Sequence, residues 1–177
     1  MNLKQAIDIA EIYADLDGAS VSEVLIRHYA DLAQKEIAVN VSRIVKRFLI
    51  TKYSKTPEIY KLPEDGAEFY RIMRRHSVLP INFVKTAWNE LTLCDSGQFD
   101  VYYSVMPQTI DAATPLDYSF EVDSRCHGAI PFYIAHRIAP DKDVSRTCFN
   151  EWKKLNSMAT DERRAQCRIL CSGDYFL

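Results

Sequence analysis

The chain has 177 residues, of which 47% are hydrophobic and 26% are charged, and its formal net charge is -2. This length suits a single compact domain, 1–177, and the composition excludes the disordered and fibrous classes. The balanced charge excludes a strongly basic nucleic-acid-binding protein but not a local basic patch. Five cysteines without regular spacing indicate reduced thiols rather than a scaffold held by disulfides.

Neither a membrane span nor a secretion signal is expected. No run reaches the roughly 18 uninterrupted apolar residues that a spanning helix needs. Acidic residues occur near the start of the chain, where a signal peptide would be apolar. We therefore expect a protein of the cytosol with no membrane partner.

Helices are expected over about 3–51. Residues 3–16 have the apolar spacing that is typical of a helix. Ser20 and Glu23 fit a capping box, in which each side chain accepts a hydrogen bond from the other residue's backbone, at the start of a second helix. Its apolar positions keep three-and-four spacing as far as Phe48, so we extend this helix to about Thr51.

A small sheet is expected over about 58–107, where short aromatic and β-branched runs alternate with turn residues. The runs NELTLC and QFDVYYSVM flank the glycine-containing connection DSG, which predicts a β-hairpin. Pro63 and Pro80 mark strand ends or edges, because proline cannot donate a hydrogen bond to a neighbouring strand.

Helices are again expected over about 124–171, at 124–139, 141–158 and 161–171, with the sequence APD separating the first two. Gly173 suits the left-handed conformation that follows many helices, and it begins a short tail, 173–177. The predicted fold class is α+β but mainly α. It is a helical bundle with a small antiparallel sheet or hairpin inserted between the N-terminal and C-terminal helices.

Cys126 and His127, in the stretch DSRCHGAIPFYIAHR, raise the question of a thiol nucleophile, which needs a base within about 3 Å. Adjacent residues on a helix do not face each other, so His127 cannot readily activate Cys126, and His127 and His136 point away from each other. Cys126 instead repeats every four residues with three isoleucines: Ile130, Ile134 and Ile138. This spacing predicts a buried apolar stripe with Cys126 facing the core. A cytosolic thiol enzyme using Cys126 and a histidine from elsewhere in the fold is the alternative.

Cys167 and Cys171 share one helical face, which suits either two metal ligands or two small residues on the buried side of a terminal helix. A structural zinc needs about four ligands, and no nearby pair of histidines or cysteines completes the set. The sequence also contains no glycine-rich phosphate loop and no metal-binding carboxylate cluster. We predict no catalytic residues, no metal and no cofactor.

The segment SRIVKRFLITKYSK contains a basic patch without acids: Arg43, Lys46, Arg47, Lys52 and Lys55. Such a patch suits contact with DNA phosphates, because each neutralised phosphate adds to the affinity. A solvated helix face explains the patch equally well, as does pairing with acids of the first helix such as Asp8, Glu11 and Asp15. A small DNA-binding module that uses this patch is therefore a second alternative.

Four short segments follow one another in a distinctive order: YKLPEDGAEFYRI, GQFDVYYSVMP, DYSFEVDSRCHGAIPFYIAHRIAPDKD and CFNEWKKL. In this order the chain resembles the head-to-tail adaptor proteins of tailed bacteriophages, including the tail-tubular adaptors of short-tailed phages. That family has an extended LP-D segment, a sheet ending in V-YY---P, a helix of the A-PYY-A type and a final helix with a conspicuous aromatic residue. The resemblance covers about residues 20–155. The chain departs from the pattern at His136, Arg137 and Pro140, which replace a plainer aliphatic run.

The resemblance implies a structural virion protein rather than an enzyme. Adaptors of this family form a ring, usually of twelve copies, that docks on the portal protein at the head-tail interface after assembly in the host cytoplasm. The ring extends the channel through which DNA passes without sequence recognition, and it is the attachment platform for tail proteins. In this setting the aromatic residues Tyr102, Tyr103 and Trp152 suit either a subunit edge or an ordinary core.

The chain ends in SGDYFL, which places Tyr175, Phe176 and Leu177 beyond the helix end expected at Gly173. Large apolar side chains at a chain end gain little from facing water, and aromatic residues anchor many interfaces. We predict that these three residues bind the portal or a neighbouring subunit. The alternative is that they fold back onto the core of their own chain.

Overall fold

The computed structural model describes residues 1–16, 21–75, 77 and 81–173, with side chains as far as residue 161. Within these residues the chain forms four α-helices, one 3-10 helix and six β-strands. The helices are α1 (Leu3–Ala14), α2 (Glu23–Asn40), the 3-10 helix (Ser124–Ala129), α3 (Ile130–Ile138) and α4 (Lys142–Gly173). The strands are β1 (Ile44–Lys52), β2 (Glu58–Lys61), β3 (Gly66–Arg74), β4 (Phe83–Ala87), β5 (Glu90–Leu93) and β6 (Gly97–Val105).

The strands of the described residues form two three-stranded antiparallel sheets, in the orders β1–β6–β3 and β2–β5–β4. Of the described residues, 71 lie in α-helices and 40 lie in strands. Strand structure on this scale exceeds a single inserted hairpin. The predicted fold class, mainly α with a small sheet or hairpin, is therefore wrong, and the chain is α+β with two sheets.

The chain divides into two compact units. We call Met1–Ser42 together with Pro107–Leu177 the helical unit, and Arg43–Met106 the β unit. The helical unit is thus built from two separated parts of the sequence, and the β unit is inserted between them.

The first predicted helix is confirmed as α1. Asn2 begins it, because its side chain accepts a hydrogen bond from the Gln5 backbone N–H (2.9 Å) while the Gln5 side chain accepts one from the Asn2 backbone N–H (3.1 Å). Asp15 ends it in the left-handed conformation, with φ 48°. The capping box predicted for α2 involves Ser20, which lies outside the described residues, and Ser22 is the residue that precedes α2.

The second predicted helix is too long. α2 ends at Asn40, and most of the residues predicted to continue it to Thr51 form strand β1. The apolar residues of β1 alternate: Phe48 and Ile50 pack on the core of the β unit, whereas Leu49 is 47% exposed. A run rich in β-branched residues with a period of two favours a strand, and in β1 it outweighs a coincident helical spacing.

α3 is the central helix of the helical unit, where it contacts α1, α2 and α4. Pro131 lies in its first turn, where a missing N–H removes no helical hydrogen bond. Cys126 is 2% exposed, and the isoleucines predicted to share its stripe are at most 9% exposed. These isoleucines are Ile130, Ile134 and Ile138. The buried stripe is confirmed, with Cys126 facing the core.

The C-terminal region folds as one long helix. The segments predicted as separate helices at 141–158 and 161–171 both belong to α4, which has 32 residues. No glycine or proline lies between them, so nothing interrupts the helical hydrogen bonds there. The helix predicted at 124–139 has the right position, but its first six residues adopt 3-10 geometry. No helix in the described part of the chain, α4 included, is both long and apolar enough to cross a membrane.

The two sheets of the β unit share one hydrophobic core. Residues of β6 alternate between core and solvent, with Phe99 and Val101 fully buried on the inner side. From the other sheet, Leu91 and Leu93 of β5 enter the same core. Each sheet therefore has a buried inner face and a more exposed outer face.

The predicted hairpin between β5 and β6 is wrong. β5 pairs with β2 and β4, whereas β6 pairs with β1 and β3. The connection contains Gly97 at φ 137°, a backbone conformation that residues with a side chain rarely adopt. It carries the chain from one sheet to the other, so that Leu93 and Phe99 reach the common core from different sheets. Burial of both side chains decides the topology over a local turn signal.

A buried arginine on α2 binds residues 107–118, the first segment of the helical unit after the β unit. Arg27 is 7% exposed, and its guanidinium donates to the backbone oxygens of Thr114 (2.5 Å) and Asp111 (3.2 Å). Glu23, one turn earlier on α2, accepts two further hydrogen bonds from Arg27, at 2.7 and 2.9 Å. The buried charge is thus paired and its donors are used, as burial of a guanidinium requires.

Two more polar residues on the same face of α2 bind this segment. Asp31 accepts a hydrogen bond from the backbone N–H of Ile110 at 3.0 Å. Gln34 is fully buried, donates to the backbone oxygen of Gln108 at 2.6 Å and accepts a hydrogen bond from the Tyr118 hydroxyl at 3.3 Å. Spacings of four and three residues align the set along the helix. We call it the α2 clamp: Arg27, Asp31 and Gln34.

Replacing Arg27 with methionine is expected to destabilise the protein. Methionine keeps much of the apolar volume but leaves the backbone oxygens of Thr114 and Asp111 without their donor. We expect the free energy of unfolding to fall by about 2–4 kcal/mol, measured by urea denaturation followed by circular dichroism. Glu36→Ala, at an exposed position of α2, is the control and should change it by no more than about 0.5 kcal/mol. Equal effects of the two substitutions would contradict the clamp.

Candidate interaction surfaces

The predicted basic patch lies on β1 and beside it, not on a helix. Because side chains alternate along a strand, the cations separate onto different sides of the sheet. Lys46 and Lys52 have the inward register and Arg47 has the outward one, while Arg43 and Lys55 lie just outside the two ends of β1. The structure therefore does not gather the five cations on one surface.

Both inward-register lysines have partners inside the β unit. Lys52 is 3% exposed, and its ammonium donates hydrogen bonds to the backbone oxygens of Ser54 and Thr56, which close the loop after β1. Lys46 forms an ion pair with Asp65 at 2.5 Å. These two lysines stabilise turns, so they are not available as a continuous phosphate-binding surface.

Two of the arginines lie beside acids of neighbouring strands. Arg47 is 3.9 Å from the carboxylate of Asp100. The same carboxylate forms an ion pair with Arg75 at 3.1 Å. Arg43 is 3.9 Å from the carboxylate of Glu68. These acids belong to the β unit, so the patch pairs within its own unit. Exposed pairs at such distances contribute only about 0–1 kcal/mol each.

Asp65 joins the turn before β3 to the central strand of its sheet. Its carboxylate accepts hydrogen bonds from the Lys46 ammonium and from the Tyr103 hydroxyl, the latter at 3.3 Å. The hydrogen bond from Lys46 holds the pKa of Asp65 below its usual value. Burial, followed by the Asp65 charge, raises the pKa of Tyr103. Gly66 completes the turn, because a Cβ there would lie 2.9 Å from the Cβ of Leu62.

An aromatic contact joins α3 to α4 in the helical unit. Tyr133 and Trp152 are both buried, with ring centroids 4.8 Å apart and ring planes inclined by 59°. Such pairs add about 0.5–1.5 kcal/mol beyond the area they bury. Trp152 is therefore a core residue of the helical unit. In the β unit, Tyr103 is also buried, whereas Tyr102 lies on the outer side of its sheet.

The residues that suggest a thiol enzyme have other roles. Cys126 is buried, and His127 uses both ring nitrogens: Nε2 lies 2.9 Å from the Val122 backbone oxygen and Nδ1 lies 3.3 Å from the Met1 nitrogen. Nδ1 of His136 lies 2.9 Å from the Ser145 hydroxyl. A nucleophile needs access to its substrate, and the burial of Cys126 does not provide it.

The outer side of sheet β1–β6–β3 combines basic and apolar side chains. Arg47 and Arg71 are the cross-strand neighbours of Tyr102, one on each side. Leu49 (47% exposed) and Met73 (39% exposed) flank the next outward residue of β6 in the same way. Exposed apolar groups beside arginine and tyrosine are typical of protein interfaces. We call this surface the outer sheet face: Val45, Arg47, Leu49, Arg71, Met73 and Tyr102.

Sheet β2–β5–β4 also exposes apolar side chains on its outer side. Ile59 and Val84 flank Thr92 of the central strand, and they are 59% and 58% exposed. Trp88, in the connection between β4 and β5, is 61% exposed. Isolated apolar residues on a surface are ordinary, but neighbours in register indicate a contact surface.

Sequence reasoning missed the outer sheet face because it assigned β1 to a helix. The available signal is the alternation of Val45, Arg47 and Leu49 with inward residues. The predicted binding residues Tyr175, Phe176 and Leu177 lie outside the described residues. The side chains of the cysteine pair in α4, Cys167 and Cys171, are also outside them.

Comparisons with family models and curated proteins leave the chain without a match. No protein-family model matches it, and no curated protein matches it either. The resemblance to phage adaptors therefore rests on the order of segments in the sequence.

Asp65→Asn is expected to lower the pKa of Tyr103. A carboxylate beside a phenol opposes the formation of phenolate, so removing its charge lets the phenol ionise at lower pH. Burial persists, so the pKa should move towards about 10 without reaching it, as measured by NMR titration of the tyrosine ring carbons. Tyr60 is the internal control: burial and a hydrogen bond to Glu58 raise its pKa to about 12, which should not change. An unchanged Tyr103 pKa would contradict the contact.

Proposed function

We propose that the protein is a head-to-tail adaptor of a tailed bacteriophage. In this role it is a structural virion protein that docks on the portal, extends the DNA channel and provides the attachment platform for tail proteins. Its partners are the portal, the neighbouring subunits of a ring of twelve copies and the tail proteins. It acts at the head-tail interface after assembly in the host cytoplasm, without catalysis and without a cofactor.

The main support is that the four segments carrying the resemblance pair off into two contacts. Asp65 of the LP-D segment accepts a hydrogen bond from Tyr103 of the V-YY---P strand. Tyr133 of the A-PYY-A helix packs on Trp152 of the final helix. An order of short motifs is more informative when the motifs touch, because their spacing then has a structural cause.

The outer sides of the two sheets supply further support for a function in assembly. Both carry large apolar side chains in cross-strand register, including Leu49 and Met73 on one sheet and Ile59 and Val84 on the other. Groups of this kind gain free energy when a partner removes them from water. A subunit that contacts several different proteins needs more than one such surface.

The two alternatives have weaker support. A thiol enzyme needs an accessible Cys126, which is 2% exposed. A DNA-binding module needs the basic patch on one face, whereas Lys46 and Lys52 bind turns of the β unit and Arg47 lies on the other side of the sheet. The adaptor proposal requires neither.

Electron cryomicroscopy of the purified protein mixed with portal proteins from candidate tailed phages tests the proposal. We expect additional ring density on one of the portals, with one copy of the protein in each of twelve positions. The same portal without the protein is the control. A protein that docks on no portal, and that mass spectrometry does not find in purified phage particles, is not an adaptor.

Deleting residues 174–177 adds a variant to the same experiment. If Tyr175, Phe176 and Leu177 bind the portal or a neighbouring subunit, docking should fail while the melting temperature changes little. Tyr53→Ser, which removes a tyrosine that is 93% exposed, is the control and should dock normally. A truncated protein that melts markedly earlier and still docks would assign the three residues to the core of their own chain.

A further inference from the structure

The outer sheet face exposes both charged and apolar side chains that a partner could bind. Arg71 forms no ion pair with any residue that the structure describes, and Arg47 has only the 3.9 Å contact with Asp100. Val45 and Leu49 are 37% and 47% exposed beside them. Arginine next to exposed aliphatic groups is the composition of an interface centre.

This chemistry favours a protein partner over a nucleic acid. A phosphate backbone would use the two arginines, but it gains nothing from Val45, Leu49 and Met73. Asp100 lies among the arginines of this sheet, bonded to Arg75 at 3.1 Å, and its carboxylate would repel a phosphate. The partner surface should therefore be both acidic and apolar.

The helical unit contains a groove of that kind between α1 and α2, with a volume of about 270 Å³. Its floor includes Ile7 and Ile26, which are 8% and 1% exposed, and Leu116 is 40% exposed on its rim. Asp8 and Glu11, one turn apart on α1, stand on the same rim, and neither has an ion-pair partner among the described residues. We call it the α1–α2 groove.

The charges of the two units are complementary. The β unit holds ten lysines and arginines against seven acids, a net charge of +3, which leaves -5 for the helical unit of a chain with -2 overall. In the groove, Glu23 is already paired with Arg27, so Asp8 and Glu11 against Lys4 leave a net charge of -1. A second copy of the chain therefore supplies a surface that fits the outer sheet face.

We propose that the outer sheet face of one copy docks on the α1–α2 groove of the next copy, an inference that rests on the proposed ring. Arg47 and Arg71 face Asp8 and Glu11, and the aliphatic side chains of the face cover the groove. Each copy uses one surface of each kind, so the contact is heterologous and repeats around a ring or along an open chain. Small mixed surfaces make a weak contact, which becomes effective when the portal holds neighbouring copies together.

Sedimentation velocity of the purified full-length protein tests this contact without the portal. At protein concentrations up to about 0.5 mM and about 50 mM salt, the wild type should associate, and about 500 mM salt should weaken the association. Val45→Glu with Arg71→Glu disables the face, and Asp8→Lys with Glu11→Lys disables the groove. Each double variant alone should associate at least about tenfold more weakly than the wild type.

A mixture of the two double variants gives the sharpest result. Each mixed pair retains one intact face and one intact groove, and its altered face and altered groove carry opposite charges, so equal amounts should regain the association that each variant alone has lost. The matched control is Val39→Glu with Lys55→Glu, which makes the same charge change at exposed positions outside both the face and the groove and should associate like the wild type. Circular dichroism and melting temperature verify that every variant is folded.

The inference is overturned if the wild type stays monomeric under these conditions, if folded double variants associate like the wild type, or if the mixture stays monomeric. Portal docking is measured separately. Failure of self-association with intact docking on the portal rejects only the pairing of the outer sheet face with the α1–α2 groove, whereas failure of docking rejects the proposed function.

Discussion

Arg27, Asp31 and Gln34 of α2 bind backbone groups of residues 107–118, and the second part of the helical unit depends on those bonds. The segment has no helix or strand of its own, so its polar backbone groups need partners from elsewhere. Once it is held, the backbone N–H of Leu3 donates to the Tyr118 oxygen and ties the segment to the start of α1, and the chain then reaches the 3-10 helix and α3. The clamp therefore allows a unit of 64 residues to be inserted without loss of the helical core.

Separate cores in the two units leave surfaces free for assembly. Each unit buries its own apolar core, the helical unit around α3 and the β unit between its two sheets. The outer sides of the sheets are then not needed for folding, which leaves Leu49, Met73, Ile59 and Val84 exposed. The proposed adaptor ring would use such surfaces for contacts with its partners.

The sequence correctly predicts those helices whose buried residues follow a single helical spacing. The helical spacing of α1 and the four-residue repeat from Cys126 are both confirmed, because each follows from one buried side of a helix. The strand β1 was missed because Val45 and Phe48 fit a helical spacing, whereas the period of two shows only in the alternation of Phe48 and Ile50 with the exposed Leu49. The clamp was also missed, because the burial of Arg27 depends on carbonyl groups 84 and 87 residues away, which no local pattern reveals. The outer sheet face was missed together with β1, because its residues come from three strands and lie side by side only once the sheet has formed.

Amide hydrogen exchange at Ile110 tests the central claim most directly. The Ile110 N–H donates to the buried carboxylate of Asp31, so it should exchange as slowly as amides in the middle of α3, and Asp31→Ala should accelerate it by orders of magnitude. Ala112 lies in the same segment, is exposed and provides the fast reference. If Ile110 exchanges as fast as Ala112 in the wild type, α2 does not hold the segment, and the α2 clamp is not what joins the two parts of the helical unit.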